Sequence, residues 1–255
     1  MQLIITTKEI TINMNITGIM WDYDGTIIDS ANKNIEVTIE VLKHFDKNIE
    51  KHLPKTLQTY ENYQNANYKY KNWRELYMKC YGLKEEQLDE AGSLWTPEQL
   101  KNKTIPSMFQ GMAELFHNLK PIKMGICSQN SNKNIKETLK HYGVDNCFEA
   151  IIGYDDISGK QQKPDPTGFL KCMELLKLNK ENSTFIYIGD HSEDVVFGKN
   201  AEEVLKEKNI NVICIAIDHL KLNINTYKNW SKQPDYFVKT VSELESVLHN
   251  LINSK

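Results

Sequence analysis

Arginine is nearly missing from this 255-residue chain: Arg74 stands alone against thirty lysines. Any bidentate clamp on an anion therefore falls to Arg74 or is absent. Cysteine is sparse as well. Cys80, Cys127, Cys147, Cys172 and Cys214 are scattered, odd in number and without a CxxC pair. No Cys/His cluster has zinc-ligand spacing, so small buried thiols in a reducing compartment are expected. Cys127 ends the apolar run IKMGIC and is expected in the core rather than as a reactive thiol. No run of about 18 apolar residues occurs, which removes a membrane-spanning helix. Twelve glycines and seven prolines are too few for a fibrous or low-complexity chain. With a formal charge of −3 there is no global basic field for nucleic acid or anionic lipid. The opening MQLIITTKEITINMN lacks a basic-then-apolar signal pattern, so a cytoplasmic location is expected.

What is present is the material of a globular α/β protein. Apolar residues make up 40% and charged residues 25% of the chain, enough for a sizeable core. Short apolar runs followed by polar clusters predict strands at Thr17–Trp21, Ile122–Cys127, Ala150–Ile152, Phe185–Ile188 and Val212–Ile217, with a weaker one at Tyr236–Val238. Helix-period segments lie between them. They cover Met108–Leu119, Asn132–Tyr142 (stopped by Gly143), Pro166–Lys177, Ser192 to about Lys208, and Val241–Leu251. Asp165 is expected to cap the third of these, with Pro166 at its first position, and Ser192 to begin the fourth as a cap or turn residue. Alternating strands and helices predict a doubly wound parallel sheet with helices on both faces.

Residues 32–105 break that alternation, with helical periodicity and no convincing strand. Ile35, Ile39 and Leu42, then Trp73, Leu76, Tyr77 and Cys80, recur at helical spacing. The expected division is an α/β core of residues 1–31 and 106–255 with a helical insert at 32–105. Residues 1–16 alternate through Ile10, Ile12, Met14 and Ile16 and are expected to add an edge strand.

In an open parallel sheet ligands bind beyond the carboxyl ends of the strands. The first strand runs into Asp22-Tyr23-Asp24-Gly25-Thr26 and the second into Ser128-Gln129-Asn130. Lys163-Pro164 precedes a helix, and the fourth strand ends in Gly189-Asp190-His191-Ser192-Glu193-Asp194. Carboxylates, one hydroxyl and one ammonium thus converge on one edge. Singly, each has a bland account: an Asp-Gly turn, a serine N-cap, a solvated lysine, an acid at a helix N-terminus. Together they resemble the four ordered motifs of haloacid dehalogenase superfamily phosphatases. The insert resembles that family's small helical cap, as in its phosphoglycolate phosphatase-like members.

The resemblance implies a Mg²⁺-dependent phosphomonoester hydrolase acting on a small phosphorylated metabolite through an aspartyl-phosphate. Asp22 is then the nucleophile, splitting hydrolysis into two easier steps. Asp24, two residues on and projecting to the same side of an extended segment, protonates the leaving alkoxide and later activates water. The resemblance assigns Mg²⁺ to the Asp22 carboxylate, the Asp24 backbone carbonyl and Asp190. Asp194, one helical turn later, either supports the metal shell or orients Lys163. Lys163 supplies a fixed ammonium and Ser128 a hydroxyl donor for a phosphoryl oxygen. Gly25 and Thr26 bring backbone N–H groups to the phosphate. His191 has no motif role and is expected as a loop or outer contact.

Specificity is expected in the insert. Between Lys51 and Tyr81 five lysines and Arg74 interleave with seven aromatic residues, Tyr68 among them. These form either a basic aromatic surface for an anionic substrate or a helical module with aromatic interior and solvated lysines. Arg74 is the candidate for a second carboxylate or phosphate on the substrate, or else is solvated or paired with a glutamate of the insert. The alternatives are a phosphomutase of the same superfamily and a non-catalytic binding protein on the same fold. The expected assembly is a monomer or homodimer, with no nucleic-acid or membrane partner.

Overall fold

The computed structural model describes residues 15–222 and 227–253. In chain order, strand β1 (Ile16–Trp21) and the two-residue strand β2 (Ile28–Asp29) lead into four helices. These are α1 (Ala31–Lys43), α2 (Tyr60–Lys69), α3 (Trp73–Tyr81) and α4 (Leu88–Lys101). A second two-residue strand, β3 (Ser107–Met108), follows, then α5 (Met112–Asn118), β4 (Lys123–Cys127), α6 (Asn132–His141) and β5 (Ala150–Ile152). The chain continues through α7 (Thr167–Leu175), β6 (Thr184–Gly189), α8 (Ser192–Leu205), β7 (Asn211–Ile217), β8 (Tyr236–Val238) and α9 (Val241–Asn253).

Six strands form one sheet in the order β5-β4-β1-β6-β7-β8, with every neighbouring pair parallel. The chain winds outward from β1 to β4 and β5, then returns to place β6, β7 and β8 on the other side. That reversal beside β1 is where an open sheet leaves a crevice at its carboxyl edge. Successive strand residues face opposite layers. Ile19 and Trp21 of β1, with Ile186 and Ile188 of β6, pack under Phe116 of α5, Leu139 of α6 and Leu248 of α9. Met20, Phe185 and Tyr187 face the other way, onto Phe169 and Cys172 of α7 and Phe197 and Ala201 of α8. Burial on both faces explains why these strands read as continuous apolar runs.

Helices α1–α4 lie between β2 and β3 and have a separate apolar cluster, which includes Val37, Val41, Leu57, Tyr63, Tyr77 and Ala91. No helix among the described residues is long and apolar enough to cross a membrane.

Some boundaries differ from expectation. Met108 does not start a helix: it pairs antiparallel with Ile28, and α5 begins after Gly111, whose φ is +90°. A two-residue strand is too short to register as alternation. Pro166, not Asp165, occupies the N-cap position of α7, without a side-chain hydrogen bond, while the Asp165 carboxylate one residue earlier accepts from the Thr167 N–H (2.9 Å). His191 rather than Ser192 caps α8, its Nδ1 accepting from the Glu193 N–H at 3.2 Å. Of the expected edge strand, Ile16 opens β1, while residues 1–14 lie outside the described residues. All five cysteines are free; four are buried and Cys80 is half-buried.

The packing that positions β1 is testable. The Trp21 ring, directly before Asp22, meets Phe116 edge-on at 5.1 Å, and both are fully buried. Phe116→Ala is expected to cost about 3–5 kcal/mol in urea unfolding, with Phe116→Leu costing visibly less. Equal midpoints for wild type and the alanine variant would show that Phe116 does not hold β1.

Candidate functional site

The site begins where β1 stops. The Asp22 N–H donates to the Ile188 carbonyl (2.8 Å), extending the β1–β6 ladder one step and fixing the backbone that carries the carboxylate. Lys163, from the segment between β5 and α7, reaches Asp22 Oδ1 at 2.6 Å and Asp194 Oδ1 at 2.7 Å, its side chain only 6% exposed. Its Nζ also lies 5.3 Å from the ring centres of Tyr187 and Phe197. Burial alone would lower the lysine's pKa, but Asp194 and Asp22 outweigh it and hold the ammonium above its ordinary value.

Asp194 is held at both oxygens. Oδ1 also accepts from the Tyr187 hydroxyl (3.2 Å), and Oδ2 accepts from the His191 N–H (3.1 Å). This arrangement orients Lys163. Asp22, Asp190 and Asp194 are all buried and each brings an oxygen within 4.8 Å of the others. Burial, then the neighbouring carboxylates Asp194 and Asp190, drive Asp22 above the usual range against the pull of Lys163. Burial and Asp194 push Asp190 up to about 7, opposed by hydrogen bonds from Tyr68 and Thr26. Three buried acids facing one ammonium leave an excess of negative charge.

The loop after Asp22 folds tightly over this cluster. Gly25 adopts φ +76°, and a Cβ there would sit 2.2 Å from Asp190 Oδ2, so conformation and space both demand glycine. The Thr26 hydroxyl donates to Asp190 Oδ1 (3.0 Å), and the Thr26 carbonyl accepts from His219 Nε2 at 3.0 Å. Asp24 stands apart from the three acids. Asn130 Nδ2 lies 3.1 and 2.9 Å from its two oxygens, Asn134 donates to Asn130 Oδ1 at 3.0 Å, and Lys33 of α1 donates to Asn134 at 2.8 Å. Burial raises the Asp24 carboxyl, moderated by hydrogen bonds from Ser30 and Asn130. At the end of β4, Ser128 Oγ accepts from the Asn130 N–H (3.1 Å).

The structure thus brings Asp22, Asp24, Gly25, Thr26, Ser128, Lys163, Asp190 and Asp194 to one sheet edge. Arg74 does not join them: it pairs with Asp89 at 2.8 Å and lies 4.7 Å over the Trp73 ring. Asp89 is 90% exposed, so that pair contributes little stability.

Three further residues at the site have no distinguishing mark in the sequence. Tyr68 of α2 donates its hydroxyl to Asp190 Oδ2, its ring 5.8 Å from that of His191. Nothing distinguishes it in sequence from the six other aromatic residues around it. Lys33 occupies an ordinary helical position, and only the long-range contact to Asn134 marks it. Glu193 sits inside the fourth motif, where its bond to Gln129 (2.9 Å) and burial, which with Asp194 raises it to about 8, become visible only in three dimensions.

The chain is similar to several known proteins. Pyrophosphatase PpaX of Listeria monocytogenes serotype 4a is 26% identical over 241 residues, covering 92% of this chain and 97% of that protein. Among solved structures, a predicted phosphatase from Clostridium acetobutylicum superposes with a TM-score of 0.68 at 20% identity, covering 93% of this chain and 100% of its own. A predicted phosphoglycolate phosphatase from Haemophilus somnus gives 0.60 at 14% identity, covering 91% and 98%. These two share the fold. Residues 19–205, from β1 to the end of α8, match the haloacid dehalogenase-like hydrolase family, and the chain belongs to that family.

Proposed function

We propose that the protein is a Mg²⁺-dependent phosphomonoester hydrolase working through a phosphorylated Asp22. The observation that carries this is the Asp22 carboxylate, fixed at the carboxyl end of the central strand with one oxygen bound by Lys163 and Asp24 two residues away. In the first step the second oxygen of Asp22 attacks phosphorus in line while the bond to the leaving oxygen breaks. The Asp24 carboxyl gives its proton to the departing alkoxide. Its burial favours the protonated form needed for that step. Water then attacks the aspartyl-phosphate, Asp24 takes the water's proton, and inorganic phosphate leaves with Asp22 restored. Asn130, bonded to Asp24, holds the acid in place. Ser128 Oγ accepts from the Asn130 N–H, so its own proton is free to point at a phosphoryl oxygen. Lys163, oriented by Asp194, balances the charge on the phosphoryl group and Asp22.

The donor set fits a hard dication: it is all oxygen, buried and in negative excess. Asp22, Asp190 and the Asp24 carbonyl would hold Mg²⁺, whose chemical contribution is to offset charge between the phosphoryl group and its attacking anion. Asp194, which binds the Lys163 ammonium at 2.7 Å, is assigned to positioning that lysine. Helices α1–α4 act as a cap over the site, meeting it through Tyr68 at Asp190 and through Lys33 at Asn134. The free cysteines support a cytoplasmic location. The substrate is a small phosphorylated compound. The names of the similar proteins put pyrophosphate and phosphoglycolate forward as candidates.

Asp22→Asn is expected to lower kcat by more than about a thousandfold while the circular dichroism spectrum is unchanged. Turnover within tenfold of wild type, with deamidation excluded by mass spectrometry, removes Asp22 from the nucleophile role. EDTA should silence hydrolysis and Mg²⁺ restore it, whereas Ca²⁺, with its larger and looser shell, should not. Full activity in metal-free buffer contradicts the assignment of Asp190. Tyr68→Phe removes a hydroxyl that shares Asp190 with the cation, so calorimetric titration should show severalfold tighter Mg²⁺ binding; unchanged or weaker binding would mean Tyr68 does not compete there.

A further inference from the structure

Between the insert and the loops of the site lies a cavity of about 140 Å³ that opens onto Asp24. Because Asp24 lines it, this cavity is where the alcohol half of a phosphate ester would sit during hydrolysis. Its walls are five aromatic side chains: Tyr63, Trp73, Tyr77 and Trp95 from the insert and Tyr154 from the segment after β5. Asn34, Asn67, Gln129 and Asn130 supply neutral polar groups. Among the described residues no lysine, arginine or histidine lines it, and Asp24 is its one ionisable carboxyl group. The nearby cations are engaged elsewhere: Lys163 with Asp22 and Asp194, Lys33 with Asn134, and Arg74 with Asp89.

We infer that the substrate is a phosphomonoester whose alcohol is uncharged and carries a single ring. This rests on the phosphomonoesterase reading of the same site and specifies its substrate class. A leaving group bearing a carboxylate or a second phosphate would be stripped of water with no cation to receive it, beside the acid Asp24 and the electron-rich faces of aromatic rings. An uncharged ring meets no such penalty and gains stacking area on those rings. Its hydroxyl or carbonyl substituents would meet the neutral amides of Asn67, Gln129 and Asn130 on the cavity wall. Size points the same way. One water needs about 10–15 Å³, and about 140 Å³ leaves room for a ring. The space depends on Gly92 of α4, where a Cβ would lie 2.6 Å from Tyr154 Oη and 3.2 Å from Trp73.

The test compares kcat/KM for benzyl phosphate, ethyl phosphate, 2-phosphoglycolate, phosphocholine and pyrophosphate. Benzyl and ethyl phosphate have leaving alcohols of similar intrinsic reactivity, so their ratio reports the ring and not the chemistry. Benzyl phosphate is expected to exceed each of the others by at least tenfold. Gly92→Ala and, separately, Trp95→Leu should bring the benzyl-to-ethyl ratio down severalfold, with the loss appearing in KM. Highest efficiency on pyrophosphate or 2-phosphoglycolate would overturn the inference, as would a ratio near one in wild type or an unchanged ratio in both variants. A preference for phosphocholine would overturn the uncharged assignment. Those failures differ from failure of the phosphatase reading itself, in which no ester is cleaved and acetyl phosphate leaves Asp22 unlabelled; that result removes the present inference with it.

Discussion

The ammonium of Lys163 between two buried carboxylates is the constraint on which the rest of this site depends. Burying three charges is costly, and the arrangement persists only because each has a fixed partner: Lys163 touches Asp22 and Asp194, and Asp194 also receives Tyr187 and the His191 N–H. The partners come from different strands and helices. Tyr187 belongs to β6, His191 caps α8, and Asp22 extends the β1–β6 ladder. The geometry of the phosphate site is therefore tied to the packing of the sheet. One consequence is that Asp194, 2.7 Å from the ammonium, helps to fix where Lys163 points. A removed lysine would leave Asp22 among like charges, a state a buried carboxylate escapes by taking up a proton and losing its nucleophilic electron pair.

Much of this was legible from residues alone, for a physical reason. Strands buried on both faces announce themselves as apolar runs, and ligand-binding residues in an open parallel sheet must follow the strand ends. That rule points to Asp22, Ser128 and Asp190, and the structure places all three at the carboxyl edge of the sheet. The illegible parts depend on side chains meeting across long stretches of sequence. Tyr68 touching Asp190 and Lys33 touching Asn134 join positions 122 and 101 residues apart. The helical periodicity of α1 and α2 says which face is apolar but not which polar residue at its margin meets the core. Likewise the pairing of Met108 with Ile28 has no signature in sequence, because two paired residues leave no pattern.

The site divides its labour by charge. At the sheet edge stand carboxylates and one ammonium, which the proposed mechanism gives to the phosphoryl group; beyond Asp24 stand aromatic rings and neutral amides, which it gives to the leaving alcohol. Asn130 belongs to both halves, contacting Asp24 on one side and Asn134 on the other while its N–H fixes Ser128. The strongly lysine-rich surface of the insert plays no part in that wall, and its one arginine is spent on Asp89 and Trp73.

The pairing of β2 with β3 has a meaning for how such a molecule diversifies. Ile28 faces Met108 and Asp29 faces Ser107, so the chain leaves the α/β layer and returns to it through a single antiparallel clasp, with opposed Cα atoms only about 5 Å apart. Everything between those two points is a loop in the topological sense, and the six-stranded sheet does not register its length or content. A different helical bundle with ends that close together could be spliced in without altering β1, β4 or β6. The phosphoryl-handling half would be inherited intact while the half that judges the alcohol is exchanged as a unit, and the clasp is the seam along which that exchange would run.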